Sequence, residues 1–177
     1  MDKDLEKVLI AREERWNKRQ ELAKKCNSTI ISITLCVPQK FRTAGEFKDI
    51  LNRLTQCFIS QLSKMKIQIT LLETIDGDDG TAIFCASEND CFEVKRACVN
   101  FEEQSPACRI LDIDVMDKSS NPISRKDIDK PSRRCFVCEN DAAVCVSRKL
   151  HTKSEVGEKV LEYQEMAIKF IKETQLN

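Results

Sequence analysis

The chain has only one histidine and four glycines in 177 residues, and both shortages exclude common kinds of active site. A single histidine excludes sites that need two imidazoles, such as the H-E-x-x-H zinc site. The glycines are scattered, so neither a Walker A loop nor a G-x-G-x-x-G dinucleotide turn is present, since both need glycine where the backbone crowds a phosphate. A phosphorylated ligand therefore has to be held by side chains.

Excess charge and long apolar runs are also absent. Lysine plus arginine and aspartate plus glutamate each number 29, so the formal net charge is zero. Bulk binding to nucleic acid or to an anionic membrane depends on excess cations, so we expect neither partner. No apolar run approaches the roughly 18 residues of a transmembrane helix, and the mixed-charge start is unlike a signal peptide. These absences predict a soluble, cytoplasmic protein.

Cysteine, by contrast, is abundant, with ten residues. Thiols in the cytoplasm stay mostly reduced. Seven of the ten are scattered through apolar surroundings, where a free cysteine behaves as a small core hydrophobe. These seven are Cys26, Cys36, Cys57, Cys85, Cys91, Cys98 and Cys108. The other three lie together near the only histidine.

Hydrophobic periodicity predicts both helices and strands along the chain. The predicted helices are 3–25, 46–65, 89–103 and 153–173. The predicted strands are 29–37 and 109–116, with a hairpin over 67–86 and a polar loop over 118–134. With 41% apolar residues the chain can bury a core. We therefore expect a single α+β domain over 1–177, in which a mixed sheet is covered by helices.

The segment Leu111–Val115 (Leu-Asp-Ile-Asp-Val) places two carboxylates on one face of a predicted strand. Side chains alternate across a strand, so Asp112 and Asp114 point away from the core, about 6.6 Å apart along the strand. Paired carboxylates repel each other unless a cation lies between them, and Mg²⁺ bridges carboxylates to phosphate. The pair therefore indicates a magnesium site for phosphoryl or nucleotidyl transfer. The alternative is a solvated strand face.

Cys135, Cys138 and Cys145 precede His151, the only histidine. The spacing C-x2-C, six residues, C, five residues, H offers four ligands, and zinc prefers a tetrahedral set of this kind. Three interpretations are open from the residues alone. The cluster binds structural zinc, or it consists of core thiols without metal and an exposed His151, or its C-x-x-C pair is redox-active.

Arginines are concentrated around the carboxylate pair and the cysteine cluster. Arginine binds phosphate through two parallel hydrogen bonds and needs no glycine loop, so these residues predict a polyphosphate clamp. The candidates are Arg109, Arg125, Arg133, Arg134 and Arg148. Arg12 and Arg15 on the first predicted helix are further candidates. The alternative for each is a solvated surface position.

The order of these motifs resembles the holo-citrate lyase synthase family, whose members are apo-citrate lyase phosphoribosyl-dephospho-CoA transferases. The similarity covers nearly the whole chain. It rests on Ala11–Arg15, Gln20, Ser32–Leu35 with Pro38, Glu102-Glu103, Pro106, Arg109–Val115, Ser124-Arg125, Arg133-Arg134-Cys135-x-x-Cys138, Ala142, Cys145, Arg148 and His151.

The resemblance implies transfer of the prosthetic group of 2′-(5-triphosphoribosyl)-3′-dephospho-CoA to a serine of the citrate lyase acyl carrier protein (gamma chain), with release of pyrophosphate. It also implies a nucleotidyltransferase-like fold in which Asp112 and Asp114 hold Mg²⁺. Two alternatives follow: the related malonate decarboxylase holo-protein synthase activity, and a non-catalytic, zinc-stabilised module that binds carrier proteins.

Four positions depart from the family pattern. Ser105 stands where a histidine is common, and Cys108 stands where a glycine precedes the arginine; Cys36 and Gln39 replace an asparagine and a glycine around Pro38. A larger residue at 108 could crowd the phosphates. The intact aspartate pair and arginine set favour full activity. Glu73 on the predicted hairpin is the candidate for a third metal carboxylate.

Overall fold

The computed structural model describes residues 3–138 and 140–175, which form six α-helices and five β-strands. The helices are α1 (Lys3–Cys26), α2 (Gln39–Arg42), α3 (Gly45–Lys64), α4 (Cys91–Glu103), α5 (Ala142–Arg148) and α6 (Lys153–Gln175). The strands are β1 (Thr29–Leu35), β2 (Thr70–Gly77), β3 (Gly80–Ser87), β4 (Leu111–Met116) and β5 (Pro122–Ile123). Short 3-10 helices cover Pro106–Ile110 and Lys126–Ile128. Within the described residues, no helix combines the length and apolar character needed to cross a membrane.

The five strands form one sheet in the order β2-β3-β1-β4-β5, and every neighbouring pair is antiparallel. The α+β class is therefore confirmed, whereas the prediction of a mixed sheet is wrong. Helix α4 joins β3 to β4, two strands that run in the same direction. Because β1 lies between them and pairs with both, no two neighbours in the sheet are parallel.

The two faces of the sheet have different coverings. Helices α3, α4 and α6 pack on one face and form the main core, in which the Phe58 and Phe101 rings lie 5.2 Å apart in an edge-on arrangement. Helix α1 covers part of the other face, where Leu22 and Ala23 pack on Ile30. The rest of that second face carries polar side chains, and it is the face on which the aspartates of β4 lie.

The predicted helices and the hairpin are present with small shifts at their ends. Helix α4 begins at Cys91 because the Asp90 side chain accepts hydrogen bonds from the backbone N–H groups of Phe92 and Glu93, both at 3.0 Å. The hairpin strand β2 begins at Thr70, so Ile67 lies before it. The predicted loop over 118–134 holds β5 and a 3-10 helix, and the sequence did not predict α2 or α5.

All ten cysteines are free thiols. Four of the seven scattered cysteines are buried, as expected of core thiols: Cys57, Cys85, Cys98 and Cys108. Burial raises the pKa of Cys85 to about 12 and that of Cys108 to about 11, so both stay protonated at neutral pH. The remaining three are partly exposed: Cys26, Cys36 and Cys91.

Candidate functional site

A cavity of about 770 Å³ opens on the polar face of the sheet. Thr34 of β1 and Asp112 of β4 contribute from the sheet, and Arg15 of α1 and Arg42 of α2 line it as well. The segment that carries the cysteine cluster supplies another part of the wall. The cavity therefore lies between the N-terminal helices and the cysteine segment, with the sheet beneath it.

Asp112 and Asp114 project from the same face of β4, as the strand period requires. Asp112 pairs with Arg133 at 3.2 Å, and Asp114 pairs with Arg19 at 2.8 Å. Their side chains are 43% and 53% exposed, so neither carboxylate is buried. Asp112 lines the cavity, whereas Asp114 is outside its lining.

The oxygen donors of the aspartate pair suit a hard cation such as Mg²⁺. Among the described residues, no third carboxylate, histidine or cysteine joins them at metal-ligand distance. Glu73 is not that third ligand. It lies on β2, in the cross-strand row Glu73–Phe84–Ser32–Asp114. Three strand spacings of about 4.8 Å each put Glu73 about 14 Å from β4, and its carboxylate contacts Lys18.

A buried carboxylate, Glu102, organises two of the predicted arginines. Glu102 is 2% exposed and pairs with Arg125 at 2.6 Å and, at short range, with Arg133. Its carboxylate also accepts the Ile113 N–H at 2.9 Å. Burial opposes the charge of Arg133, but the attraction of Glu102 and Asp112 outweighs it and raises the pKa of that guanidinium. Arg133 therefore stays charged beside the cavity.

The edge of β4 at residues 111–113 lacks a neighbouring strand, because β5 pairs only with Val115 and Met116. Charged side chains replace the missing strand. Lys95 Nζ donates to the Ile113 carbonyl at 3.0 Å, and Arg133 Nη1 donates to the Leu111 carbonyl at 2.8 Å. Together with Glu102, these contacts satisfy buried backbone groups and fix Arg133 next to the aspartates.

Arg109 fastens the cysteine segment to α6. Its guanidinium donates to the Tyr163 hydroxyl at 2.9 Å and to the carbonyls of Arg134 and Cys135 at 3.0 and 3.1 Å. It also lies over the rings of Phe136 and Tyr163. Arg109 therefore lines the cavity while holding its wall together.

The five arginines predicted as a clamp divide into two groups. Four of them line the cavity: Arg109, Arg125, Arg133 and Arg134. Arg148 lies in the last turn of α5, exposed to solvent and outside the lining. Arg15 lines the cavity, and Arg12 lies beside Arg15, since both donate to the Asp79 carboxylate.

The structure brings Cys135, Cys138, Cys145 and His151 together. Their candidate ligand atoms all lie within 4.8 Å of one another. Cys138 Sγ is 3.5 Å from Cys145 Sγ and 3.3 Å from His151 Nε2. A tetrahedral zinc with bonds of about 2.3 Å to sulfur separates its sulfur ligands by about 3.8 Å, so these separations suit a metal ion.

Local backbone contacts form the cysteine cluster. The Cys135 N–H donates to the Asn140 carbonyl at 2.8 Å, which closes a tight turn. Asp141 caps α5 through the Ala143 N–H at 2.8 Å, and α5 carries Cys145. Lys149 ends that helix in the left-handed conformation, with φ of 51°, so the chain turns back and brings His151 to the sulfurs.

The thiols of Cys135 and Cys145 have opposite pKa shifts in this cluster. Burial and the neighbouring sulfurs of Cys138 and Cys135 raise the pKa of Cys145 to about 12. For Cys135, burial acts in the same direction, but backbone N–H groups of Cys138 and Val137 outweigh it and lower the pKa. A bound metal ion removes this conflict, because thiolates are its ligands.

The positions that depart from the family pattern lie mostly outside the cavity. Cys108 is fully buried in the core, so its side chain does not crowd a cavity ligand. The Ser105 hydroxyl accepts the Ala107 N–H at 3.2 Å and caps a 3-10 helix. Gln39 donates to the Asp78 carbonyl at 3.0 Å. Of the four, Cys36 alone lines the cavity.

Sequence reasoning missed several charged residues near the site. Arg42 lines the cavity, and Asp79, which reads as a turn residue, is buried and contacts Arg12, Arg15 and Arg42. The only signal at Asp79 in the sequence is the turn Asp76–Gly80, and the residues of such turns are usually exposed. An acidic residue therefore became a buried counter-ion through contacts with distant parts of the chain.

A cavity lined by arginines beside a pair of aspartates has the donors that suit a phosphorylated ligand. The family of apo-citrate lyase phosphoribosyl-dephospho-CoA transferases matches residues 3–166, so the chain belongs to this family. The family resemblance of the motifs is therefore confirmed.

Two relatives show the extent of this similarity. The apo-citrate lyase phosphoribosyl-dephospho-CoA transferase of Escherichia coli O1:K1 is 28% identical over 152 residues, which cover 84% of this chain and 81% of the relative. The protein of the same name from Citrobacter koseri is 26% identical over 149 residues, with the same coverage.

Proposed function

We propose that this chain transfers the prosthetic group of 2′-(5-triphosphoribosyl)-3′-dephospho-CoA to a serine of the citrate lyase acyl carrier protein and releases pyrophosphate. The observation that carries the proposal is the cavity of about 770 Å³ with Asp112 and four of the predicted arginines in its wall. Its volume is in the range of about 300–1,000 Å³ that small-molecule sites occupy. A single domain over 1–177 and a cytoplasmic location are parts of the same proposal.

The reaction is a nucleotidyl transfer at the α-phosphorus. The carrier serine oxygen forms a bond to phosphorus, and the bond to the bridging oxygen of the pyrophosphate breaks with its electron pair. The serine proton passes to a base, and the candidate is Asp112, an exposed carboxylate of the cavity wall. Arg133 and Arg125 stabilise the charge that develops on the phosphate oxygens.

Asp112 and Asp114 are the residues that would hold Mg²⁺. When bound, the ion neutralises the triphosphate and favours departure of pyrophosphate. Both carboxylates are exposed enough to exchange a guanidinium partner for a cation. Arg19 and Arg133 keep the two like charges close together until then.

Zinc is the proposed metal of Cys135, Cys138, Cys145 and His151, with a structural role. The separations of their ligand atoms and the chemistry of a Cys3His set support this assignment. Zinc would hold the cysteine segment in one conformation, and that segment forms a wall of the cavity.

The mass of apo carrier protein tests the transfer. Incubation with this protein, the triphosphate precursor and Mg²⁺ should raise the carrier mass by one prosthetic group, and a carrier with serine replaced by alanine should stay unchanged. The carrier of malonate decarboxylase, assayed in parallel, reports on the related activity. Carrier binding without any mass change would instead favour the non-catalytic module.

A further inference from the structure

Two arginines of the cavity wall belong to a group of charges that the proposed chemistry leaves unused. This Asp79 cluster consists of Arg15 and Arg42 in the wall, with Asp79 and Arg12 behind them. The Asp79 side chain is 1% exposed. It accepts hydrogen bonds from Arg12 Nε at 3.0 Å, Arg15 Nη2 at 2.8 Å and Arg42 Nη1 at 2.7 Å. Among the described residues, Asp79 is the only acid that pairs with these three arginines. The cluster therefore carries three positive charges and one negative charge.

The excess positive charge is costly without an anion. Burial lowers the pKa of Arg42; Asp79 opposes this shift, while Arg12 and Arg15 add to it. The side chains of Arg15 and Arg42 are only 17% and 19% exposed, so water screens their repulsion incompletely. A bound anion would offset both the cost of burying these cations and the repulsion between them.

The geometry of Arg42 is set before any ligand arrives. Its Nε donates to the Val37 carbonyl at 2.7 Å, and its Nη1 contacts Asp79. Gly80 lets the hairpin turn approach closely, because a Cβ there would lie 2.8 Å from Arg42 Cβ and 2.9 Å from the Arg42 carbonyl oxygen. The turn and α2 therefore hold each other in place. Arg42 keeps further N–H groups for a cavity ligand.

The other cationic side chains in the cavity wall have acceptors close by or are open to water. Glu102 and Glu103 pair with Arg125, and Arg109 donates to backbone carbonyls and to Tyr163. The lining lysines are exposed: Lys149 and Lys153. Partly buried positive charge in excess of carboxylates is therefore concentrated at Arg15 and Arg42.

We propose that Arg15 and Arg42 bind the triphosphate group of the substrate, with Asp79 as the residue that positions them. This inference rests on the proposed transfer function and names the part of the site that holds the leaving pyrophosphate. A guanidinium grips phosphate through two parallel hydrogen bonds, and a triphosphate supplies the charge that this cluster lacks. The dephospho-CoA part then extends along the apolar wall that contains Phe136 and Val156.

Inorganic tripolyphosphate is the direct probe, with binding measured by calorimetry on the full chain. Arg15→Gln and Arg42→Gln should each weaken tripolyphosphate binding by about tenfold or more, since each removes hydrogen bonds between charged groups. Arg53→Gln is the matched control, because Arg53 contacts Gln175 on α6 and does not line the cavity.

Dephospho-CoA, which has no triphosphate, is the second ligand, and its affinity should be unchanged in both variants. Unchanged tripolyphosphate affinity in Arg15→Gln, or an equal loss in the Arg53→Gln control, would overturn the subsite. Arg42 also holds the Val37 backbone, so Arg15→Gln alone decides the matter if Arg42→Gln does not fold.

The carrier assay separates this subsite from the proposed function. In one outcome the unaltered chain modifies no carrier, but it binds tripolyphosphate and the Arg15→Gln variant does not. The subsite then stands and the transfer function fails. If the unaltered chain modifies the carrier and both variants keep its KM for the triphosphate substrate, the subsite fails alone.

Discussion

At the scale of single residues, buried charges with several partners hold the side chains of this site in place. Glu102 joins α4, the edge of β4 and the segment of Arg125 and Arg133 through one carboxylate. A buried carboxylate of this kind is costly to bury. Removal of one charge of the pair costs more, because it leaves the other charge buried without a partner. The fold next to the cavity therefore depends on a few side chains far apart in sequence.

Glu102→Gln should lower the free energy of unfolding by about 3 kcal/mol, because it leaves Arg133 partly buried with a weaker partner. Urea unfolding followed by circular dichroism measures this change. Glu103→Gln is the matched control: it also contacts Arg125 but is 42% exposed, so its cost should be below about 1 kcal/mol. Equal losses in the two variants would contradict the role of burial.

At the scale of elements, amphipathic patterns predicted α1, α3, α4 and α6 well, because a helix that covers a core must repeat its apolar residues every three or four positions. The short helices α2 and α5 have too few turns for such a pattern. Helix α5 exists because Asp141 caps it and because the cysteine segment closes around it. Contacts with residues outside the helix therefore determine whether such short helices form.

Gly80→Ala should destabilise the hairpin turn and α2 together, by about 2 kcal/mol or more. The substitution places a Cβ at a φ of +90° and against the backbone of Arg42. Gly45→Ala, at the start of α3, is the control, since a Cβ there has nothing within 4 Å; it should be neutral or slightly stabilising. Thermal unfolding of both variants measures the difference, and a neutral Gly80→Ala would contradict the close approach.

The cysteine segment should lose its order when its metal is removed. We expect about one zinc per chain in the purified protein, and Cys138→Ser should abolish it while increasing hydrogen exchange over 133–151. Cys91→Ser is the control, since Cys91 is also partly exposed but outside the cluster, and it should retain zinc. Metal analysis below about 0.2 equivalents in the unaltered protein would leave the interpretations of free thiols and of a redox pair.

At the scale of the whole molecule, the cavity is lined by segments that are far apart in the sequence. Helix α1, the end of β1, α2 and the cysteine segment each contribute one wall, and β4 supplies Asp112. The sheet order places β4 next to β1, and this order brings Asp112 beside Thr34. The lining of the cavity therefore combines residues from Arg15 to Val156 along the chain.

Asp112→Asn and Asp114→Asn should each reduce carrier modification by at least about 100-fold, because each removes a carboxylate from the proposed metal pair. Both side chains are exposed, so the free energy of unfolding should change by less than about 1 kcal/mol. Glu73→Gln, on the same face of the sheet but three strands away, is the control and should stay fully active. Activity that survives Asp114→Asn but not Asp112→Asn would assign the chemistry to Asp112 alone.

The sequence by itself determined the α+β class, the long helices, the hairpin, the aspartate pair on one strand face and the family. Each depends on local periodicity or on ordered motifs, which are properties of neighbouring residues. Tertiary structure alone decided the antiparallel sheet order, the closeness of the four metal-ligand candidates, the placement of Arg148 outside the cavity and the burial of Asp79. These features arise from contacts between residues far apart in the chain, such as Arg12 with Asp79, and no local pattern encodes such pairs.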